Sequence, residues 1–336
     1  MEMNTVTQEK QFDEKLLKSV YEMLGLEAMG DVRSPAQGQT TTNVLQETNR
    51  GMLLIRFNPI LKTKLETGHA IFEIESLRFF ARNGIPVPTL LKFRDEFYFK
   101  TDKWIICAYF CLLGVPIRRS ELSVDLARKM SEFLHNVIKV SVNYPTEVSY
   151  EEPFINSFNY IIEMAAKIEK SFPELKKSEM WNMMKITTKH NQSILSGTPE
   201  GIVHADYFYE NILKDRNGNI VGLIDFGDAY YGHNLHDVAI GAMECCVLED
   251  EIWNLEIFSA FLQAISPFFI RYSITFQQFY ETLKVNCFRF GVYTLPNILA
   301  CESSINCNIY INRYEKLVSK SFEEEIYKIY TEIINS

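Results

Sequence analysis

No C-x-x-C pair occurs in the chain, although it holds seven cysteines, Cys107, Cys111, Cys245, Cys246, Cys287, Cys301 and Cys307. That absence excludes a structural zinc site built from paired thiolates. The odd number and the apolar settings, such as Ile105-Ile106-Cys107-Ala108-Tyr109, point to buried reduced thiols and a cytoplasmic, reducing compartment. Long hydrophobic runs are also lacking. The longest, such as Trp104 to Val115, fall short of the roughly 20 apolar residues that span a bilayer, so no membrane partner is expected. Met1 to Lys18 is polar, and no secretory signal is expected from it. Positive charge is scarce as well, with 34 Lys and Arg against 43 Asp and Glu and a net charge of −9. Nucleic-acid binding needs a basic surface that displaces counterions, so nucleic acid is excluded as a partner. The acidic balance suits solubility and leaves a cationic substrate open. Internal repeats and low-complexity tracts are absent.

What the sequence does contain is core-forming material, 47% hydrophobic and 23% charged over 336 residues. That is enough for two structural units of ordinary size. Asp13 to Leu24 has the spacing of an amphipathic helix, closed by Gly25. A polar turn from Ser34 to Asn43 follows. Asn43 to Gln46 and Gly51 to Phe57 then alternate as two strands joined by Glu47 to Arg50. Thr67 to Arg82 repeats apolar residues at helical spacing and stops before Gly84, Pro86 and Pro88. Strand-like sequence returns at Thr89 to Arg94, Phe97 to Lys100 and Trp104 to Phe110. Leu112 to Pro116 is expected to be a linker. Helices are predicted beyond it at Val124 to Val137, Phe154 to Ile168 and Met180 to Leu195. Two short apolar segments, Ile202-Val203 and Ile212-Leu213, precede an Asn217-Gly218 hairpin whose far strand runs from Ile220 to Ile224. From His236 onward the chain is expected to be helical and aromatic-rich. The division expected is residues 1–110 as a strand-rich unit with one prominent helix, and residues 111–336 as a mostly helical unit.

The chemistry gathers between His204 and Asp228. Moving the terminal phosphoryl group of a nucleotide needs a carboxylate that takes the acceptor proton, oxygen ligands for Mg²⁺, and a cation that grips the phosphates. His204-Ala205-Asp206 followed by Asn211 has the form H-x-D-x-x-x-x-N and begins where a short apolar run ends. Asp206 is the candidate base and Asn211 a candidate carbonyl ligand. The hairpin then ends in Ile224-Asp225-Phe226-Gly227, which puts a second candidate metal ligand, Asp225, at a strand exit. Magnesium takes a few hard oxygens together with phosphates and water, so Asn211 and Asp225 suffice chemically.

The segment Ile202 to Ala242 resembles the core of the aminoglycoside phosphotransferase and choline kinase superfamily, and the resemblance runs over most of the chain. Leu126 to His135 is similar to the family's helix ending in Leu-His, and Gly84 to Pro88 to its turn after the regulatory helix. Gly232 and Asp237 match its later Gly and Asp. The resemblance implies an α+β, protein-kinase-like bilobal fold, with a strand-rich N-terminal nucleotide lobe and a mostly helical C-terminal lobe. It implies ATP or GTP as donor, Mg²⁺ as cofactor, Asp206 as the catalytic aspartate, and Asn211 and Asp225 as metal ligands. By position, Gly38 lies in the phosphate-covering loop, where it is the lone glycine, and Thr41 is among the hydroxyls that meet phosphate oxygens. The strand Leu53 to Arg56 resembles the one that offers a phosphate-gripping lysine, but carries Arg56 instead. Glu73 is the expected acidic partner of Arg56, with Glu75 as a rival. His204 and Asp237 are expected to brace the loop, and Asp228 has no single expected role.

The acceptor expected is a small amine-bearing alcohol. The stretch Gly222 to Gly232, Val238 to Ile240 and Cys287 to Phe290 is most similar to the hydroxylysine kinase branch, with homoserine kinase next and antibiotic phosphotransferase third. Glu244, Glu249 and Asp250 are candidates for binding the ammonium group, and Arg289 for a substrate carboxylate; for each, an ordinary structural or surface role is the alternative. Two other classes stay open. His204, Asp206, His233, His236 and Asp237 have ligand-like spacings that a metallohydrolase would use. A nucleotide-binding pseudokinase would keep the fold without the reaction. A monomer or a homodimer is expected.

Overall fold

The computed structural model describes residues 14–33, 41–60, 64–145, 158–190, 193–248, 252–300 and 308–335. Two units emerge, one of residues 1–81 and 87–112, the other of residues 82–86 and 113–336.

The first unit opens with α1 (Glu14–Leu24) and β1 (Ala28–Arg33), followed by β2 (Thr42–Thr48) and β3 (Gly51–Pro59). Next come α2 (Lys64–Arg82), β4 (Thr89–Leu90), β5 (Phe99–Lys100) and β6 (Trp104–Phe110). These strands form an antiparallel sheet in the order β1-β2-β3-β6-β4, with β5 also on β6. Strand side chains alternate between faces, and both faces are apolar here. Leu53, Ile55, Phe57 and Ile106 pack with Leu17 and Val20 of α1. The opposite face packs Ile105, Cys107 and Tyr109 with Ala70 and Ile74 of α2. Alternation puts Arg56 on the α2 face.

The β2–β3 hairpin is tighter than its polar residues suggest. The ladder continues to Thr48 and Gly51, so only Asn49 and Arg50 form the turn. The Thr48 hydroxyl holds it, donating to the Gly51 carbonyl at 2.7 Å and accepting from Arg50 N–H at 3.2 Å. The strand expected over Thr89 to Arg94 shortens to Thr89–Leu90, because Arg94 turns left-handed (φ 62°) inside a Phe93–Glu96 bridge. The strand expected at Phe97 to Lys100 likewise forms only at Phe99–Lys100.

In the second unit the linker expected at Leu112 to Pro116 contains a strand, β7 (Val115–Pro116). After it come α3 (Val124–Ser141), α4 (Phe158–Ser171), α5 (Glu179–His190), β8 (Glu200–Val203), β9 (Ile212–Lys214) and β10 (Ile220–Leu223). β11 (Tyr230–His233), α6 (Leu235–Cys245), α7 (Leu255–Arg271), α8 (Phe276–Ala300), α9 (Ile309–Leu317) and α10 (Lys320–Asn335) complete it. β7 joins β9 and β10 in a three-stranded antiparallel sheet. Gly114 permits that approach, since a Cβ there would lie 2.8 Å from Val221 Cγ2 and 3.0 Å from Leu213 Cβ. Residues 82–86 belong to this unit too, where the Pro86 carbonyl accepts from Leu223 N–H at 3.0 Å.

Ser123 caps α3 by accepting from Leu126 N–H, and the helix buries a stripe of Leu126, Met130, Leu134 and Val137. Ser141 ends that stripe and donates to the Ile202 carbonyl at 2.6 Å; Asn234 donates to the same carbonyl at 3.0 Å. β8 is thereby fixed from both sides. It also pairs with β11, a strand that Tyr230 to His233 form without any sequence expectation of one. Every residue of α6 is buried. Among the described residues no helix is long and apolar enough to cross a membrane.

Candidate active site

β8 delivers the chain into His204-Ala205-Asp206, and all three main-chain N–H groups of this turn are bound. Ala205 adopts a left-handed conformation (φ 66°), which costs a residue with a Cβ roughly 1–2 kcal/mol. Asp237, in the first turn of α6, accepts from His204 N–H at 2.7 Å and from Ala205 N–H at 2.8 Å. The bracing role expected for Asp237 is therefore seen directly. On the other side of the same residue, Arg289 of α8 donates from Nη1 to the Ala205 carbonyl at 2.7 Å. Charge-assisted bonds of this kind contribute about 1.5–3 kcal/mol each, enough to offset the strained turn. Burial pushes the Asp237 carboxyl up to about 7, while the two N–H donors and Arg289 hold it down.

His204 is a bracket rather than an acid or base. Its Nδ1 accepts from Asp206 N–H at 3.3 Å, so its Nε2 carries the proton and donates to the Ile224 carbonyl at 2.9 Å. The ring lies edge-on to Phe226, 4.7 Å between centroids. Burial is the main influence on it and lowers its pKa, which keeps the imidazole neutral.

Asp206 is half-buried, and Asn211 clamps it. Asn211 Nδ2 donates to both the Asp206 carbonyl and Asp206 Oδ2, each at 2.9 Å. With the amide nitrogen so engaged, the side-chain carbonyl oxygen is the remaining acceptor of Asn211. Asn211 also accepts at its main-chain carbonyl from Ile224 N–H at 2.9 Å, which stitches the Asp206 turn to the strand exit that carries Asp225. Asp225 is left-handed as well (φ 62°), a conformation that Asp tolerates better than most residues. Asp228 closes the short helical turn that follows. The Asp206 carboxyl is raised to about 7, first by burial, then by the neighbouring Asp228 and Asp225; Arg289 and Asn211 oppose the shift. The carboxylates of Asp225 and Asp228 act on Asp206 through their charge, and together with the Asn211 side-chain oxygen they are hard-oxygen donors, the chemical type that a small divalent cation takes.

In the first unit the structure brings Arg56 and Glu73 together. Arg56 Nη1 pairs with Glu73 Oε1, and Arg56 Nε donates to Asn43 Oδ1 at 3.3 Å across the β2–β3 ladder. Both charged residues are buried, at 6% and 3% exposure. The rival Glu75 pairs instead with Arg78 at 2.6 Å and stays partly exposed. Thr41 is partly exposed just before β2, while Gly38 lies outside the described residues. The Thr42 hydroxyl beside them is buried with no hydrogen-bond partner.

Several expectations need correction. Glu244 is neither a solvated helix residue nor available to an ammonium group, because Arg313 of α9 pairs with it at 2.8 Å and both are buried. Glu249 and Asp250 lie outside the described residues. For Arg289 the structural alternative is the one seen: it is 3% exposed and donates to the Ala205 carbonyl. The histidines of the metallohydrolase reading are engaged separately. His204 holds Ile224, His233 Nδ1 meets Thr198 Oγ1 at 2.9 Å, and His236 Nδ1 faces Asn286 Oδ1 at 3.4 Å. Among the described residues no three His, Cys, Asp or Glu side chains are grouped to hold a metal. Sequence reasoning missed the positions of Arg289 and Arg313. The signal for Arg289 was present: an arginine inside the apolar run Val285 to Val292 needs a buried partner.

A model of the phosphotransferase enzyme family matches residues 31–268, more than half of the chain. The protein belongs to this family. Its fold is kinase-like, and it is a phosphotransferase. The homoserine kinase of Neisseria meningitidis serogroup B is 23% identical over 267 residues, covering 77% of this phosphotransferase and 81% of the relative. Among solved structures, the amicoumacin kinase hAmiN in complex with AMP-PNP, Ca²⁺ and Ami superposes with a TM-score of 0.61 at 12% identity. It covers 96% of this chain and 94% of its own. The choline kinase of Cryptosporidium parvum Iowa II gives a TM-score of 0.61 at 13% identity, covering 96% and 97%.

Proposed function

We propose that this phosphotransferase moves the terminal phosphoryl group of ATP or GTP to the hydroxyl of an amine-bearing alcohol or hydroxy amino acid, homoserine- or hydroxylysine-like, with Mg²⁺ as cofactor. The observation that carries the proposal is the Asn211 clamp on Asp206, set beside Asp225 and Asp228. Asp206 orients the acceptor hydroxyl and takes its proton as the bond to phosphorus forms. The Asn211 carbonyl oxygen and Asp225 would hold Mg²⁺. The metal, when bound, supplies positive charge to the phosphate oxygens. His204, Asp237 and Arg289 keep the turn in place, so orientation is built in before the acceptor arrives. Arg56, fixed by Glu73, is proposed as the phosphate-binding cation of the N-terminal unit. Gly38 and Thr41 are proposed for the phosphate-covering segment.

The acceptor class is supported by the homoserine kinase relative, whose similarity extends over most of both chains. An antibiotic acceptor is supported by likeness of fold alone, at 12% identity. The test is a nucleotide-consumption screen of the purified chain with Mg²⁺ and ATP or GTP, against homoserine, hydroxylysine, choline, ethanolamine and aminoglycosides. Turnover with homoserine or hydroxylysine at least tenfold above the other acceptors is expected. Turnover confined to aminoglycosides, or to none of these, overturns the assignment.

A further inference from the structure

The Ala205 peptide is the least relaxed element of the catalytic turn, and it is gripped by two charged side chains from different helices. Asp237 of α6 takes its N–H, and Arg289 of α8 takes its carbonyl. Ala205 lacks the usual means of tolerating a left-handed φ, being neither Gly, Asn nor Asp. Its carbonyl belongs to the peptide that leads directly into Asp206. Releasing that carbonyl would remove one of the two side-chain grips on the strained peptide next to Asp206.

Arg289 is suited to this by more than its charge. Its guanidinium lies over the Phe290 ring at 4.6 Å and over the Tyr293 ring at 5.9 Å. Both rings lie within cation–π reach of the guanidinium, whose Nη1 donates to the Ala205 carbonyl. His236 and Asp237 are buried around it, so water does not substitute for the donor.

We propose that Arg289 is a positioning residue for phosphoryl transfer, acting through the Ala205 carbonyl to hold the left-handed turn that aims Asp206. The inference rests on Asp206 being the group that orients the acceptor. It differs from a purely structural role in one respect: loss of Arg289 should loosen residues 204–206 and slow the chemical step while nucleotide binding persists.

The test compares the full chain with Arg289→Met and Arg289→Lys in two arms. In the first, amide hydrogen exchange is followed across the whole chain. Arg289→Met is expected to speed exchange at residues 204–206 at least tenfold, with protection of α3, α6 and α7 unchanged. In the second, kcat and KM are measured with the best acceptor of the screen. Arg289→Met is expected to lower kcat about a hundredfold with the nucleotide KM within threefold. Arg289→Lys, which donates but does not stack, is expected to recover kcat to within about tenfold of the parent. If Arg289→Met does not fold, Arg289→Gln takes its place in both arms. Parent-like exchange at residues 204–206 overturns the proposal. So does a kcat loss that the lysine variant leaves uncorrected. The exchange arm needs no turnover, so a screen without any acceptor would sink the proposed function while leaving Arg289 separately decided.

Discussion

Arg56 and Glu73 offer a double-mutant cycle whose outcome follows from their burial. The guanidinium and the carboxylate face each other between β3 and α2, with 7% and 4% of their side chains exposed. Arg56→Met removes one charge and strands Glu73 among Ile74, Ala70 and Cys107. Glu73→Leu removes the carboxylate that neutralises Arg56, whose Nε donates to the uncharged Asn43 oxygen. Breaking a buried pair on one side costs about 3–5 kcal/mol, because the survivor is a desolvated charge without compensation. Replacing both partners by apolar residues of similar volume is close to neutral, so the double variant should lie within about 2 kcal/mol of the parent. The coupling energy predicted is therefore about 4 kcal/mol or more, far above the value of an exposed ion pair. Urea unfolding followed by fluorescence in a Trp181→Phe, Trp253→Phe background leaves Trp104, which lies 6.0 Å from Phe57 of β3 between ring centroids, to read the first unit. The slope against urea should stay constant while the midpoint moves. All three variants should raise the nucleotide KM, the double one included, so stability and function separate in that protein. A coupling energy below about 1 kcal/mol would refute the buried pair. Normal nucleotide use by the double variant would refute the role given to Arg56.

Two further outcomes concern the second unit. Burial pushes the His236 imidazole down to about 3, so the fold keeps it neutral while the unfolded chain takes up a proton below about 6.5. Stability from this group is present above the unfolded value and is lost as pH falls; between pH 7 and 5 the loss is about 2 kcal/mol. His236→Gln should therefore gain about 2 kcal/mol relative to the parent over that interval in urea unfolding, and parallel pH profiles would contradict the burial argument. Asp225→Asn keeps the left-handed turn, which Asn also tolerates, but weakens the metal site. The Mg²⁺ concentration for half-maximal turnover should rise at least tenfold with the melting temperature little changed, and an unchanged Mg²⁺ requirement would remove Asp225 from the ligand set.

How much was legible in the sequence depended on whether the signal was local. The Asn217-Gly218 turn, the spacing from Asp206 to Asn211 and the helical stripe of α3 are short-range patterns, and each appears at its expected place. β11 was not legible, because Tyr-Tyr-Gly-His carries no alternation and becomes a strand only by pairing with β8. β7 likewise exists because Gly114 lets the chain approach β9, which no local pattern announces. Within the site, the roles of His204 and Asp237 followed from position along the motif. Those of Arg289 and Arg313 did not. Arg289 lies 84 positions from the Ala205 carbonyl it holds, and Arg313 lies 69 positions from Glu244. Partners at such separations are chosen by tertiary packing of α6, α8 and α9.

Asp206 is proposed to take the acceptor proton. Asp206→Asn preserves shape and an oxygen for Asn211 Nδ2, and removes only the base. Product formation with Mg²⁺, nucleotide and the best acceptor, measured beside direct nucleotide binding, isolates that loss. Turnover should fall by about 10²–10⁴-fold while the nucleotide Kd stays within threefold of the parent. An Asp206→Asn protein that forms product within tenfold of the parent rate would contradict the account.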